Sequence, residues 1–287
     1  MTTEVTYMTE FTFQREWVEK RGFLLVLAFF LGGLGGGLYL ASLYLDFHIG
    51  MVTGFLIVAV GKGGTHLAYL GKPLRFWRGF LKPQSSWISR GLLALVLFLV
   101  AAALQLAPTV SWFSWLPWTS NNLFLQVVVI IGALGLVTYT GFALGVVNAI
   151  PFWNTSLMPL LFLACALSGG LGLALGMGGG AAERALMENV LAGLLIIVAG
   201  LLGFQLLVAY HTSPAAKQSV KELAIGKAAP YFMGGVVVIG LVLPLAIVAL
   251  AHQLPVYVIS LGAGLELVGG FCLRYSILKA GIYSPLI

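Results

Sequence analysis

Residues 66–91 read HLAYLGKPLRFWRGFLKPQSSWISRG, with five cations (Lys72, Arg75, Arg78, Lys82, Arg90) and two tryptophans (Trp77, Trp87). Apolar runs long enough to cross a bilayer flank this stretch on both sides, so it reads as a loop held at one membrane face. Charge, proline and polar clusters bound eight apolar runs, roughly 23–45, 49–70, 88–106, 123–150, 157–177, 190–210, 231–251 and 256–278. A spanning helix needs about 20 mostly apolar residues, and lipid tolerates only helices or closed barrels because backbone groups must be satisfied internally. The runs are continuous rather than alternating, which excludes a barrel. The composition agrees, at 60% hydrophobic and 8% charged residues over 287 positions with a mean hydropathy of +1.02. The expected fold is an all-α membrane protein of eight transmembrane helices with both termini on the same side. The first run follows Glu16, Glu19, Lys20 and Arg21, a flank too late and too acidic for a cleaved signal peptide, so it is expected to be retained.

Lysine and arginine near helix ends are held in the cytoplasm. Alternating the eight runs places fourteen of the fifteen cations, Lys62 and Arg274 among them, on the side shared by the termini and leaves only Arg184 opposite. Cytoplasmic termini in the inner membrane are therefore expected. The net charge of +6 reads as a topology determinant rather than a nucleic-acid surface. Cys165 and Cys272 lie inside apolar runs as small fillers, so no disulfide, iron–sulfur cluster or metal site is expected in this chain. No run of polar sequence is long enough for a soluble domain, so any large catalytic apparatus must come from partner chains. Between Pro73 and Pro83, bulky apolar residues alternate with Arg75, Arg78 and Lys82 around Trp77. That pattern fits a lipid interface or a docking surface for a partner.

Glycine recurs at helical spacing in the first run (Gly33, Gly37, then Ala41, with Gly32 and Gly36 in a parallel row) and again from Ser168 to Gly180, which predicts close helix packing. Ionisable residues inside apolar runs are functional candidates, because lipid makes them expensive. Lys62, His66 and Tyr69 share one helical face by their spacings of four and three. Histidine exchanges protons near neutral pH, tyrosine donates a hydrogen bond and lysine favours an anion, a set suited to quinone chemistry. The alternative is a lysine that snorkels to water and a histidine that bonds a carbonyl. Tyr139 sits inside the fourth run, and Pro151 and Trp153 mark its exit, with Trp153 expected at the interface. Glu266 lies several turns inside the eighth run, where an ionised carboxylate costs roughly 2.5–3.5 kcal/mol, so it is expected to be paired or neutral and is a candidate for a proton pathway. Arg274 is eight residues on, too far for direct contact along a straight helix. The histidines His48, His66, His211 and His252 leave a haem b anchor as an alternative.

The phrases HLAYLGKPLRFW (66–77) and SSWISRG (85–91) resemble the loop between the second and third helices of the NrfD/PsrC family, the membrane subunits of polysulfide reductase-like complexes. YTGFALGVVNAIPFW (139–153), LMPLLFLACALSGG (157–170) and LELVGGFCLRYSILKAGIY (265–283) extend the resemblance over the chain. It implies two four-helix bundles, 23–150 carrying a quinone site and 151–287, after an N-terminal segment 1–22 at the membrane surface. It also implies a menaquinone- or ubiquinone-reactive subunit without haem, working with a ferredoxin-like iron–sulfur subunit and a molybdopterin catalytic subunit. By the family motifs Tyr139 and His66 would hold the quinone carbonyls, with Lys62, Tyr69 and Arg75 tuning the site and Arg75, Trp77, Arg78 and Lys82 facing the partner. The chain departs from the family where Lys20, Arg21 and Gly22 replace an Asn and His near the start of the first helix. Many relatives serve exported catalytic subunits, whereas the candidate residues here lie toward the cation-rich side, which favours a cytoplasmic catalytic partner over basic loops shaped only for docking. A second function class is a proton- or solute-translocating unit using Lys62 and Glu266; a third is a pure anchor without a quinone site.

Overall fold

A computed structural model describes residues 10–250, 254 and 256–285. The end of the seventh predicted run, His252 and residues 1–9 of the N-terminal segment fall outside the described residues. Eight helices have the length and apolarity of membrane spans: Gly22–Tyr44, His48–Tyr69, Trp87–Thr109, Leu123–Gly145, Leu157–Gly176, Ala181–Thr212, Pro230–Ala249 and Tyr257–Lys279. The eight-span, all-helical expectation holds, and the protein is a multi-pass membrane protein. Polar caps set several starts. The Ser86 hydroxyl accepts from the Ser89 N–H at 3.3 Å and Asn122 Oδ1 accepts from the Leu125 N–H at 3.1 Å, each satisfying a donor that the first turn leaves free.

Two spans form the centre: 67% of the most apolar window of the first and 72% of that of the fifth are buried within the protein. The first touches the second, fourth, fifth and eighth; the fifth touches the first, fourth, sixth and eighth. Their backbones meet at Gly37 and Gly170, where an added Cβ on either would strike the other helix's main chain. Glycine here removes the side chain that would hold the helices apart, as the spacing in the first run predicts.

Three departures from the sequence expectation bear on function. The fourth span ends at Gly145 rather than 150, and Trp153 is fully buried, donating from Nε1 to the Ile277 carbonyl at 2.8 Å. It is an internal anchor for the last span and not an interfacial residue, because its indole finds a backbone acceptor inside the protein. The polar connection after the sixth span contains a further helix, Pro214–Ile225, started by the Ser213 hydroxyl, which accepts from the Ala216 N–H at 3.2 Å. This helix buries Ala215, Ala216, Ser219 and Leu223 and turns Lys217 and Lys221 outward. Finally, the second and seventh spans contain π-helical stretches, Ile57–Lys62 and Pro230–Val242. The second of these precedes Pro244, whose missing N–H disfavours a regular α-helical ladder.

The first and last described segments are clasped. Strand β1 (Thr12–Phe13) pairs antiparallel with β2 (Ile282–Tyr283), Gln14 Nε2 donates to the Leu278 carbonyl at 2.9 Å, and Trp17 packs on Trp153 with ring centroids 5.3 Å apart. The 66–91 loop is tied down too. Pro73–Phe80 forms an exposed 3-10 helix, Trp87 stacks on Phe142 at 4.2 Å, and the Arg90 guanidinium donates to the carbonyls of Pro83 and Gln84 at 2.8 and 2.7 Å.

Candidate functional site

Lys62 closes the π-helical stretch of the second span. A single wide turn of this kind re-aims the side chains that follow it and occurs often at functional sites. The lysine does not snorkel to water: it is 1% exposed. Its ammonium donates to the Tyr139 hydroxyl at 3.0 Å, with a longer contact of 3.5 Å to the Ala28 carbonyl, and it lies 4.6 Å from the Tyr139 ring centroid. Counted at the membrane rim by sequence, Lys62 is an internal charge instead. Arg274 also leaves the rim, being 2% exposed.

Room for this arrangement comes from two glycines. A Cβ on Gly32 of the first span would stand 2.7 Å from Lys62 Nζ, and one on Gly91 of the third span would collide with the Tyr139 ring, 2.7 Å from Cε2. Phe29 meets Tyr139 edge-on at 6.4 Å, and Trp17 in turn meets Phe29 at 6.5 Å. The site therefore draws on the first four spans and the N-terminal segment. A Cβ on Gly22 would stand 2.6 Å from the Trp17 carbonyl carbon, so the segment before the first helix folds tightly over its start.

An ammonium carries three donors and a phenol one donor with two lone pairs. Lys62 commits one donor to Tyr139, and no described residue accepts the Tyr139 proton. Among the described residues the ion pair formed is Arg184–Glu188 at 2.8 Å, so no carboxylate neutralises Lys62. The pair thus presents a free phenolic proton backed by an uncompensated positive charge in a low-dielectric setting, where such a charge acts strongly on a nearby anion.

His66, one turn beyond Lys62, is half-buried, and its Nδ1 is sealed from solvent without a hydrogen-bond partner. It does not bond a backbone carbonyl through that atom. Tyr69 is half-buried and packs against the main hydrophobic cluster. Arg75, Trp77, Arg78 and Lys82 are exposed on or just after the 3-10 helix, with Arg78 5.6 Å from the Trp77 ring. The structure brings Lys62 and Tyr139 together and leaves Arg75 outside their contact. Sequence reasoning missed Phe29, Gly32 and Gly91 as walls of the site. Gly91 stood in the SSWISRG motif, and Gly32 was legible only as part of a helix-packing row.

Glu266 is 5% exposed and lies apart, in a cavity lined also by Arg274, Ser168 and Cys165. It forms no ion pair with Arg274, in keeping with their separation along the helix.

Comparison with known proteins adds an independent finding. The family described as polysulphide reductase, NrfD, matches residues 19–285. The C subunit of polysulfide reductase from Wolinella succinogenes is 30% identical over 288 residues, covering 88% of this chain and 91% of that protein.

Proposed function

The chain belongs to the NrfD family, and from that premise we propose that it exchanges electrons between a membrane quinone pool and a peripheral iron–sulfur subunit. Family membership alone makes it a membrane subunit of a respiratory oxidoreductase. The quinone reading is carried by one observation, the buried Lys62–Tyr139 hydrogen bond of 3.0 Å with its phenolic proton free. A quinone carbonyl accepts hydrogen bonds as oxidised ligand and needs protons as it is reduced. A phenol donor, a lysine that stabilises negative charge and a histidine nitrogen with no partner fit both needs.

In this reading Tyr139 holds one carbonyl through its free proton. His66 serves the other through Nδ1, and Lys62 orients the phenol while countering negative charge on the ligand oxygen. Tyr69 lines the approach from the loop side. Arg75, with Trp77, Arg78 and Lys82, belongs to the docking face for the iron–sulfur subunit, beyond which a molybdopterin subunit supplies the substrate chemistry. The ligand class is a menaquinone or ubiquinone. The bundles 23–150 and 151–287 would divide the work, the first carrying the quinone. The cation-rich side shared by the chain ends would face the cytoplasm, with the catalytic subunits docked there.

The test is quinone-coupled turnover of the assembled complex in the Tyr139→Phe and His66→Ala variants. Both should lose turnover while the subunits still co-purify. Unchanged turnover in both would sink the assignment.

A further inference from the structure

A second buried cation, Arg274 of the eighth span, also packs against the first span. A Cβ on Gly33 would stand 2.7 Å from Arg274 Nη2, just as one on Gly32 would stand 2.7 Å from Lys62 Nζ. Adjacent Cα atoms are 3.8 Å apart, which bounds the separation of the two charged nitrogens at roughly 12 Å. The neighbouring phenylalanines repeat the division: Phe29 meets Tyr139, whereas Phe30 lies 5.8 Å from the Arg274 guanidinium carbon. Neighbouring residues of the first span, about 100° apart around its axis, thus face the Lys62–Tyr139 pair and the Glu266–Arg274 cavity.

That cavity is incompletely satisfied. Arg274 Nη1 donates to the Gly270 carbonyl at 2.8 Å, and Phe162 lies 5.6 Å from the guanidinium carbon. Yet Arg274 Nε and Glu266 Oε1 are both buried without a partner, and buried charged groups demand partners. The cavity has a volume of about 30 Å³, enough for about two waters. Polar neighbours facing the carboxyl are Arg274, Ser168 and Cys165.

We propose that Glu266 and Arg274, bridged by water, form a second ionisable site that exchanges a proton in step with charge at the Lys62–Tyr139 site across the first span. This rests on the quinone reading of that site. Negative charge arriving beside Lys62 draws a proton onto Glu266 Oε1; an O–H bond forms there, the proton passes from bulk water through the bridging waters, and no electron reaches the carboxyl. Loss of the charge breaks that O–H bond and returns the proton. At separations of roughly 12–18 Å and an effective dielectric near 20, one charge alters the proton-binding constant about five- to tenfold.

The experiment is reduced-minus-oxidised infrared difference spectroscopy of the whole complex with its native quinone. A protonated-carboxyl band should appear, respond to deuterium oxide and to carbon-13 glutamate, vanish in Glu266→Gln and move in Glu266→Asp. Quinone bands without any glutamate-sensitive carboxyl band in the wild type would overturn the coupling and leave the quinone reading intact. A glutamate band that persists unchanged in Glu266→Gln would equally overturn it. If Glu266→Gln does not assemble, the isotope-labelled wild type and Glu266→Asp decide. Absence of quinone bands themselves would overturn the quinone reading and the coupling with it.

Discussion

Replacing Lys62 by methionine separates function from packing. The substitution keeps an unbranched side chain of similar length against Gly32 but removes the ammonium that donates to Tyr139 at 3.0 Å. A unit charge about 4 Å from a ligand oxygen is worth about 4 kcal/mol at an effective dielectric of 20. If half of that is felt in the transition state for electron transfer to the quinone, turnover falls about 30-fold; if all is felt, about 1000-fold. Stability should move the other way. A buried, uncompensated charge costs several kcal/mol of desolvation, and well-packed apolar replacements of buried charges are often neutral or stabilising by about 1–4 kcal/mol. The assay pairs turnover of a soluble quinone analogue by the purified complex with its thermal unfolding. Expected is a complex at least as heat-stable as wild type and at least about 30-fold slower at saturating quinone. Turnover within twofold of wild type would refute the role given to the charge, and so would a rate loss that merely tracks a fall in stability.

Two further predictions address the walls and the orientation of the site. Gly91→Ala drives a Cβ into the Tyr139 ring, so it should cost about 1–3 kcal/mol of stability through overpacking and lower quinone turnover. Gly64→Ala, with open space around the added carbon, should leave turnover unaltered and serves as the control; equal effects of the two would remove the steric argument. For sidedness, Leu74 is 92% exposed on the loop helix. A Leu74→Cys variant should react with a membrane-impermeant thiol reagent in inverted vesicles and stay silent in intact spheroplasts, and the reverse pattern would place the loop outside.

Much of the fold was legible because membrane insertion depends on local properties. Continuous apolar runs gave eight helices, and Pro73 to Pro83 announced a surface segment through alternating aromatic and basic residues. Errors fell where a local signal was ambiguous. Trp153 looked interfacial, since tryptophan beside a helix exit usually is. It is buried because the Ile277 carbonyl, 124 residues away, accepts its N–H. Lys62 and Arg274 were counted as rim charges because position near a helix end says nothing of whether a neighbouring helix covers it. The π-helical turn ending at Lys62 left no trace in the composition.

By itself the sequence determined that this chain crosses the membrane eight times and that Lys62, His66, Tyr139 and Glu266 are costly enough in lipid to need a reason. Only the tertiary structure decided which of them meet. Lys62 and Tyr139 are 77 residues apart, and their contact depends on Gly32 and Gly91 admitting side chains from other spans. Hydropathy is set residue by residue and survives any arrangement of the helices. A hydrogen bond of 3.0 Å between two spans exists only after packing has fixed their rotation, depth and neighbours.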